Sequence, residues 1–161
     1  DIVPMVEPEV LLDGAHDIAR AKEVTTKVLK GLFESLAKHH VHLDGLILKT
    51  SMVLSGKEAE NRADAKAVGE ATVEVLKECV PAEVGGVVFL SGGQTSDEAT
   101  ANFNEIAKHE PLPWPLAFSF SRAIQNDALA MWAGKVSNID LAREAYIERL
   151  KSNSQADQGL L

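Results

Sequence analysis

A short apolar run followed by a helix-length amphipathic stretch recurs four times along this chain, and that alternation leaves few folds open. The runs are Ile2–Val6, Leu46–Lys49, Gly86–Leu90 and Leu116–Phe120. They read as continuous apolar segments, the pattern of parallel strands buried on both faces by crossover helices. A repeat of about 40 residues per strand–helix unit suits either an open doubly wound sheet or an arc of a (β/α)8 barrel. The fold class expected is therefore α/β, and four units make half a barrel.

The intervening stretches carry helical periodicity. From His16 to about Lys38, the residues Ile18, Ala21, Val24, Val28, Leu29, Leu32, Phe33 and Leu36 recur at three- and four-residue spacing. Asp64 to Glu78 repeats the pattern with Val68, Ala71, Thr72, Val75 and Leu76. A third helix is expected over Ser96–Lys108, opened by Thr95-Ser96-Asp97-Glu98, residue types that suit a helix N-terminus. Ala123–Ala133 and Ile139–Leu150 follow the fourth run, divided at Gly134, with Ser137 or Asn138 as the expected cap of the last, extra helix. Residues 1–150 are thus expected to form the half-barrel segment, and 151–161 a loosely ordered polar tail. The chain opens on Asp1-Ile2-Val3-Pro4-Met5 with a strand already under way, which reads as a start in mid-fold.

Composition removes several function classes. A net charge of −8, with lysines scattered among acids, argues against nucleic acid, which requires a concentrated basic face. A small anionic ligand needs only a local positive pocket and stays open. The single Cys79 supplies neither a disulfide nor a metal framework and favours a reducing compartment such as the cytoplasm. No apolar run nears the roughly 20 residues of a membrane span, and no signal peptide is expected.

In both candidate architectures the working face is the carboxyl end of the strands. The residues leaving the four runs are Val6-Glu7-Pro8-Glu9, Leu48-Lys49-Thr50-Ser51, Leu90-Ser91-Gly92-Gly93-Gln94 and Phe118-Ser119-Phe120-Ser121-Arg122. Glu7 and Glu9, at i and i+2, share a face of an extended backbone and are able to divide acid/base work from cation binding; a solvated strand end is the alternative. Lys49 shares a face with Ile47; pointing inward, its charged form loses hydration and the neutral amine becomes a nucleophile toward a ketone or aldehyde. Pointing outward, it reaches the rim or pairs with Glu7. Ser91-Gly92-Gly93 ahead of a helix lets backbone N–H groups approach an anion, and Arg122 supplies a bidentate clamp for the same phosphate. A tight turn beside a surface arginine is the alternative.

Other features read as structural. His39, His40 and His42 fall on the amino-terminal side of the strands and are expected at the surface, with no acid or thiol set to complete a metal site. Trp114 and Trp132 are expected to pack, and Cys79 to act as a small buried hydrophobe.

The segments IVPMVEPEVLLDGAHD, HHVHLDGLILKTSMV, VVFLSGGQTSDEATANFNEI and FSFSRAIQNDALAMWAGK together resemble the class I, Schiff-base fructose-1,6-bisphosphate aldolases. The likeness runs through essentially the whole chain and covers what would be the second half of such an enzyme. It implies that Lys49 forms the Schiff base, that Glu7 is the acid/base glutamate and that Glu9 organises the site. It implies phosphate binding by Ser91, Gly92 and Arg122, with Gly93 and Ser121 in the same two strand-end segments. The implied reaction is reversible cleavage of fructose 1,6-bisphosphate to dihydroxyacetone phosphate and glyceraldehyde 3-phosphate, with no metal or other cofactor. The family is usually tetrameric.

Three departures stand out. Thr50-Ser51 replaces the usual Pro-Asn, Ser121 replaces a glycine before the phosphate arginine, and the carboxyl-terminal tyrosine segment is absent. The family's first four βα units, with an aspartate and two further lysines of the site, are also absent from this sequence. Two alternatives therefore accompany the enzyme reading: a non-catalytic half-barrel fragment or interaction module that keeps the phosphate turn, and a Schiff-base aldolase of different substrate. A half-barrel standing alone would expose the edges of its first and fourth strands and an apolar inner face.

Overall fold

The computed structural model describes residues 2–161. Strands β1 (Met5–Val6), β2 (Ile47–Thr50), β3 (Gly86–Phe89) and β4 (Leu116–Phe118) form one sheet in the order β1-β2-β3-β4, every neighbouring pair parallel. Helices α1 (Ile18–Lys38), α2 (Ala65–Cys79) and α3 (Ser96–Ala107) connect successive strands, and α4 (Arg122–Trp132) and α5 (Ile139–Ala156) follow β4. An open doubly wound sheet reverses its strand order at a switch point. Here each crossover lands on the next strand in sequence, the winding of a (β/α)8 barrel, so the choice between the two architectures is settled by topology.

Each connecting helix starts where a side chain meets a free backbone donor. Asp17 accepts from the Arg20 N–H at 2.8 Å and Asp64 from the Ala67 N–H at 2.9 Å. At α3 the cap is reciprocal: the Thr95 hydroxyl accepts from the Glu98 N–H, and the Glu98 carboxylate accepts from the Thr95 N–H at 2.9 Å. Burial pushes the Glu98 carboxyl up, but the Thr95 N–H and the Arg62 guanidinium outweigh it and hold the group below its ordinary value of 4.5. A lowered carboxyl stabilises the fold above that value and loses the contribution as pH falls through the folded-state pKa. Urea midpoints measured downward from pH 6 should therefore drop more steeply for the native sequence than for Glu98→Gln, and Thr95→Ala should cost about 1 kcal/mol at neutral pH.

The sheet has two unlike faces. Leu46, Leu48 and Thr50 of the β2 segment are buried against the helices, whereas Ile47 and Lys49 are half-buried on the opposite face, as alternation requires. Between sheet and helices, Phe89 lies 5.7 Å from Phe103 of α3, and Phe103 lies 6.1 Å from both Phe118 and Phe120. These tilted and edge-on rings fix the ends of β3 and β4 relative to one another.

Several expectations need correction. β1 begins at Met5 rather than Ile2: it lies at the sheet edge, its ladder starts where β2 offers a partner, and Ile2 and Val3 are exposed. Leu90 and Phe120 lie just outside their strands. The boundary expected at 150/151 is absent from the secondary structure, because α5 runs on to Ala156. Its polar residues are anchors: fully buried Asn153 accepts from the Thr100 hydroxyl at 3.1 Å, and Asn104 binds both backbone groups of Leu161, at 2.8 and 3.0 Å. Asn138 precedes α5 without capping it; its amide donates to the carbonyls of Met131 and Trp132 and closes α4 instead.

Trp114 is buried, its indole N–H donating to the Pro81 carbonyl at 2.7 Å, while Trp132 is 43% exposed in an open groove between α4 and α5. Cys79 is buried, and His39, His40 and His42 are exposed.

Candidate active site

The site is assembled from the carboxyl ends of all four strands. Ile47 pairs in register with Met5, and Lys49 with Val88, so the lysine stands one step beyond the last paired residues of β1. From there Lys49 Nζ reaches Glu7 Oε1 at 2.9 Å, joining two of the expected catalytic residues. The lysine side chain is 20% exposed and the glutamate 48%, so the amine is the drier partner and the carboxylate opens toward solvent. A carboxylate at this distance accepts a proton from the ammonium without rearrangement.

Glu9 is placed differently. The paired ladder of β1 stops at Val6, so the i, i+2 rule of an extended strand no longer governs Glu7 and Glu9. Glu9 is exposed, and among the described residues it takes part in no ion pair. Beyond it, the Val10 N–H donates to Ser51 Oγ at 3.2 Å, tying the segment after β1 to the end of β2. Thr50 and Ser51, which stand where the resembled family usually has Pro-Asn, are both buried, and the Ser51 hydroxyl makes this tie.

The turn after β3 is shaped for backbone donors. Gly92 and Gly93 adopt φ of +55° and +88°, a left-handed succession that side-chain-bearing residues resist. Among the described residues, the N–H groups of Ser91, Gly92 and Gly93 donate to no protein acceptor. Three consecutive unused N–H groups in such a turn form a concavity for an anion. The start of α3 contributes less than its position implied, because its own capping box already engages Thr95 and Glu98.

Behind the turn lies a buried relay that the sequence did not announce. Gln94 Nε2 and the Gln94 N–H both donate to the Ser91 carbonyl at 2.9 Å, and Asn102 Nδ2 donates to Gln94 Oε1 at 2.7 Å. Gln94 and Asn102 are buried, so Gln94 Oε1 and Asn102 Nδ2 depend on each other for a partner. Asn102→Ala leaves Gln94 Oε1 without that donor, which should destabilise the fold by about 1–3 kcal/mol. Urea denaturation of the variant measures that loss.

Ser121 and Arg122 leave β4, the neighbour of β3, on the same side; the Ser119 N–H extends the pairing by donating to the Phe89 carbonyl at 2.9 Å. Both residues are exposed. Ser121 has φ of −101°, so the backbone there accommodates a side chain in place of glycine. Arg122 opens α4, and none of the ion pairs among the described residues involves it, leaving the guanidinium available. No cluster of three or more His, Cys, Asp or Glu suited to a metal ion occurs among the described residues, and no helix is long and apolar enough to cross a membrane.

A parallel β/α arc with an amine at one strand end, a carboxylate at the preceding end and an anion-shaped turn at the next defines a barrel-type enzyme scaffold. The family model described as fructose-bisphosphate aldolase class-I matches residues 1–161, and the chain belongs to that family. It is 49% identical, over 98% of its length, to a Xanthomonas axonopodis protein named "Probable fructose-bisphosphate aldolase class 1", covering 48% of that protein. It is 44% identical, again over 98%, to the Arabidopsis thaliana protein "Fructose-bisphosphate aldolase 4, cytosolic", covering 40% of it. Among solved structures it superimposes with a TM-score of 0.95 and 44% identity on fructose-bisphosphate aldolase from Plasmodium falciparum, crystallised with TRAP and a small molecule inhibitor. That match covers 98% of this chain and 46% of the other. The chain spans about half the length of the relatives it matches and corresponds to their carboxyl-terminal part, the second half of an α/β barrel.

Proposed function

We propose that the enzyme of which this chain forms the carboxyl-terminal part reversibly cleaves fructose 1,6-bisphosphate to dihydroxyacetone phosphate and glyceraldehyde 3-phosphate through a Schiff base on Lys49. The observation that carries the reading is the Lys49–Glu7 contact of 2.9 Å, set on the sheet face away from the helices, on the strand next to β3, whose following turn carries the unused N–H groups of Ser91, Gly92 and Gly93.

In this reading Glu7 takes a proton from the Lys49 ammonium, and the freed amine attacks the C2 carbonyl of the ketose. The carbinolamine oxygen leaves as water after Glu7 returns a proton to it. The resulting iminium accepts the electron pair of the C3–C4 bond as the C4 hydroxyl gives its proton to the Glu7 carboxylate and the aldehyde departs. Protonation of the enamine at C3 and hydrolysis then release the ketone phosphate and restore the amine. Glu9 organises the rim, while the turn N–H groups and Arg122, with Ser121 beside it, hold the ketone-side phosphate.

The complete enzyme is proposed to be a cytoplasmic homo-oligomer, a tetramer as the resemblance implies. The 161-residue chain by itself is expected to turn nothing over. Assays of the complete enzyme in EDTA should retain cleavage of fructose 1,6-bisphosphate and show far slower cleavage of unphosphorylated fructose. Activity abolished by the chelator and restored by a divalent metal would contradict the Schiff-base reading.

A further inference from the structure

We propose that Lys57 is a second cationic element of the phosphate site beside Arg122, an ammonium that exchanges a weak contact with Asp13 for the phosphate dianion bound at the Ser91–Gly93 turn. The inference rests on the phosphate reading of that turn and adds a residue from a different loop.

The backbone around Lys57 is fixed by three bonds to the segment that follows β1. The N–H groups of Gly56, Lys57 and Glu58 donate to the carbonyls of His16, Leu12 and Gly14 at 2.8, 2.8 and 3.0 Å. Loop closure on this scale places the lysine Cα without help from its side chain. The side chain then extends to the turn after β3: Nζ lies 3.1 Å, and Cε 3.4 Å, from where a Cβ on Gly93 would stand. The ammonium therefore rests on bare glycine backbone, at the edge of the three N–H groups that no protein acceptor uses. Glycine at position 93 serves two needs at once, its φ of +88° and the close approach of this lysine.

What holds Lys57 is slight. Its nearest carboxylate, Asp13 Oδ1, is 3.8 Å away and 74% exposed, and the lysine itself is 47% exposed. By contrast, Lys30 and Lys108 contact their carboxylates at 2.5 and 2.7 Å. An exposed pair at the limit of contact contributes little, so losing Asp13 costs little. A phosphate dianion seated on the turn amides offers the same ammonium a doubly charged acceptor and a charge-assisted hydrogen bond. The ligand class is a phosphate monoester dianion or inorganic phosphate, and a compact lysine with three rotatable donors suits a site whose geometry the turn already fixes.

The test uses the complete enzyme with inorganic phosphate as inhibitor and fructose 1,6-bisphosphate as substrate. Lys57→Met should raise the phosphate inhibition constant and the KM about 10-fold, equivalent to ~1.4 kcal/mol, with a smaller change in kcat. Lys57→Arg should recover most of the loss, and Asp13→Asn, which releases the ammonium, should tighten phosphate binding. If Lys57→Met and Asp13→Asn leave both constants unchanged while Arg122→Ala raises them, Lys57 is a bystander and the proposal falls with the phosphate site intact. If Arg122→Ala and Gly92→Val also change nothing, the phosphate reading of the turn itself fails.

Discussion

Lys49→Met in the complete enzyme is expected to lower kcat by about 10⁴-fold or more, the scale seen when a covalent nucleophile is removed. Methionine keeps an unbranched apolar stem on the sheet face, so packing beside Ile47 and Val88 should survive. The substitution leaves Glu7 without its partner, but that carboxylate is 48% exposed and regains water, so the stability change should stay within about 1 kcal/mol. Phosphate inhibition should persist, because the turn amides come from β3 and their geometry is fixed by Gln94 and Asn102 rather than by the lysine. A variant that retains appreciable turnover, or one that loses phosphate binding along with turnover, would separate the lysine from the role assigned to it.

The second large effect is structural. Gly56→Val should destabilise the protein by about 3 kcal/mol or more, among the larger losses a single substitution produces. A Cβ at position 56 would stand 2.0 Å from the Gly14 carbonyl oxygen, 2.7 Å from its carbon and 3.0 Å from His16 Nδ1. The first two obstacles are backbone, so neither can be cleared by a side-chain rotation. Relief requires separating the two loops, which breaks the bonds from Gly56, Lys57 and Glu58 and carries Lys57 away from Gly93. Gly31→Ala is the matched control. Gly31 is exposed within α1 and has nothing within 4 Å of its added Cβ, so alanine there should stabilise by up to about 1 kcal/mol. Thermal and urea unfolding of the two variants should therefore move in opposite directions.

How much of this was legible in the sequence depends on whether the responsible interaction is local. The faces of β2 were, because alternation alone places Ile47 and Lys49 opposite Leu46 and Leu48. The start of α3 was also legible: Thr95 and Glu98 at cap and third position carry their own hydrogen-bond logic. The order of the sheet was not, since periodicity within a helix does not say which strand the next crossover reaches. The carboxyl-terminal segment was misread for a related reason. Asn153, Asn104 and the stretch near Leu161 look like solvent-facing polarity, and only the approach of α5 to α3 turns those amides into buried, mutually satisfying pairs. Asn138 likewise found its acceptors on the preceding helix rather than on the one it introduces. At the site, Lys49 and the glycine turn announce themselves at strand ends. Gln94, Asn102 and Lys57 do not, because their partners lie across loops that meet only after folding.

The most direct measurement is borohydride reduction of the complete enzyme in the presence of dihydroxyacetone phosphate, followed by peptide mapping of the trapped adduct by mass spectrometry. A stable adduct confined to the peptide containing Lys49, and lost in Lys49→Arg because guanidinium stays protonated, is the predicted result. An adduct on any other lysine, or none in an enzyme that still cleaves the bisphosphate, would contradict it.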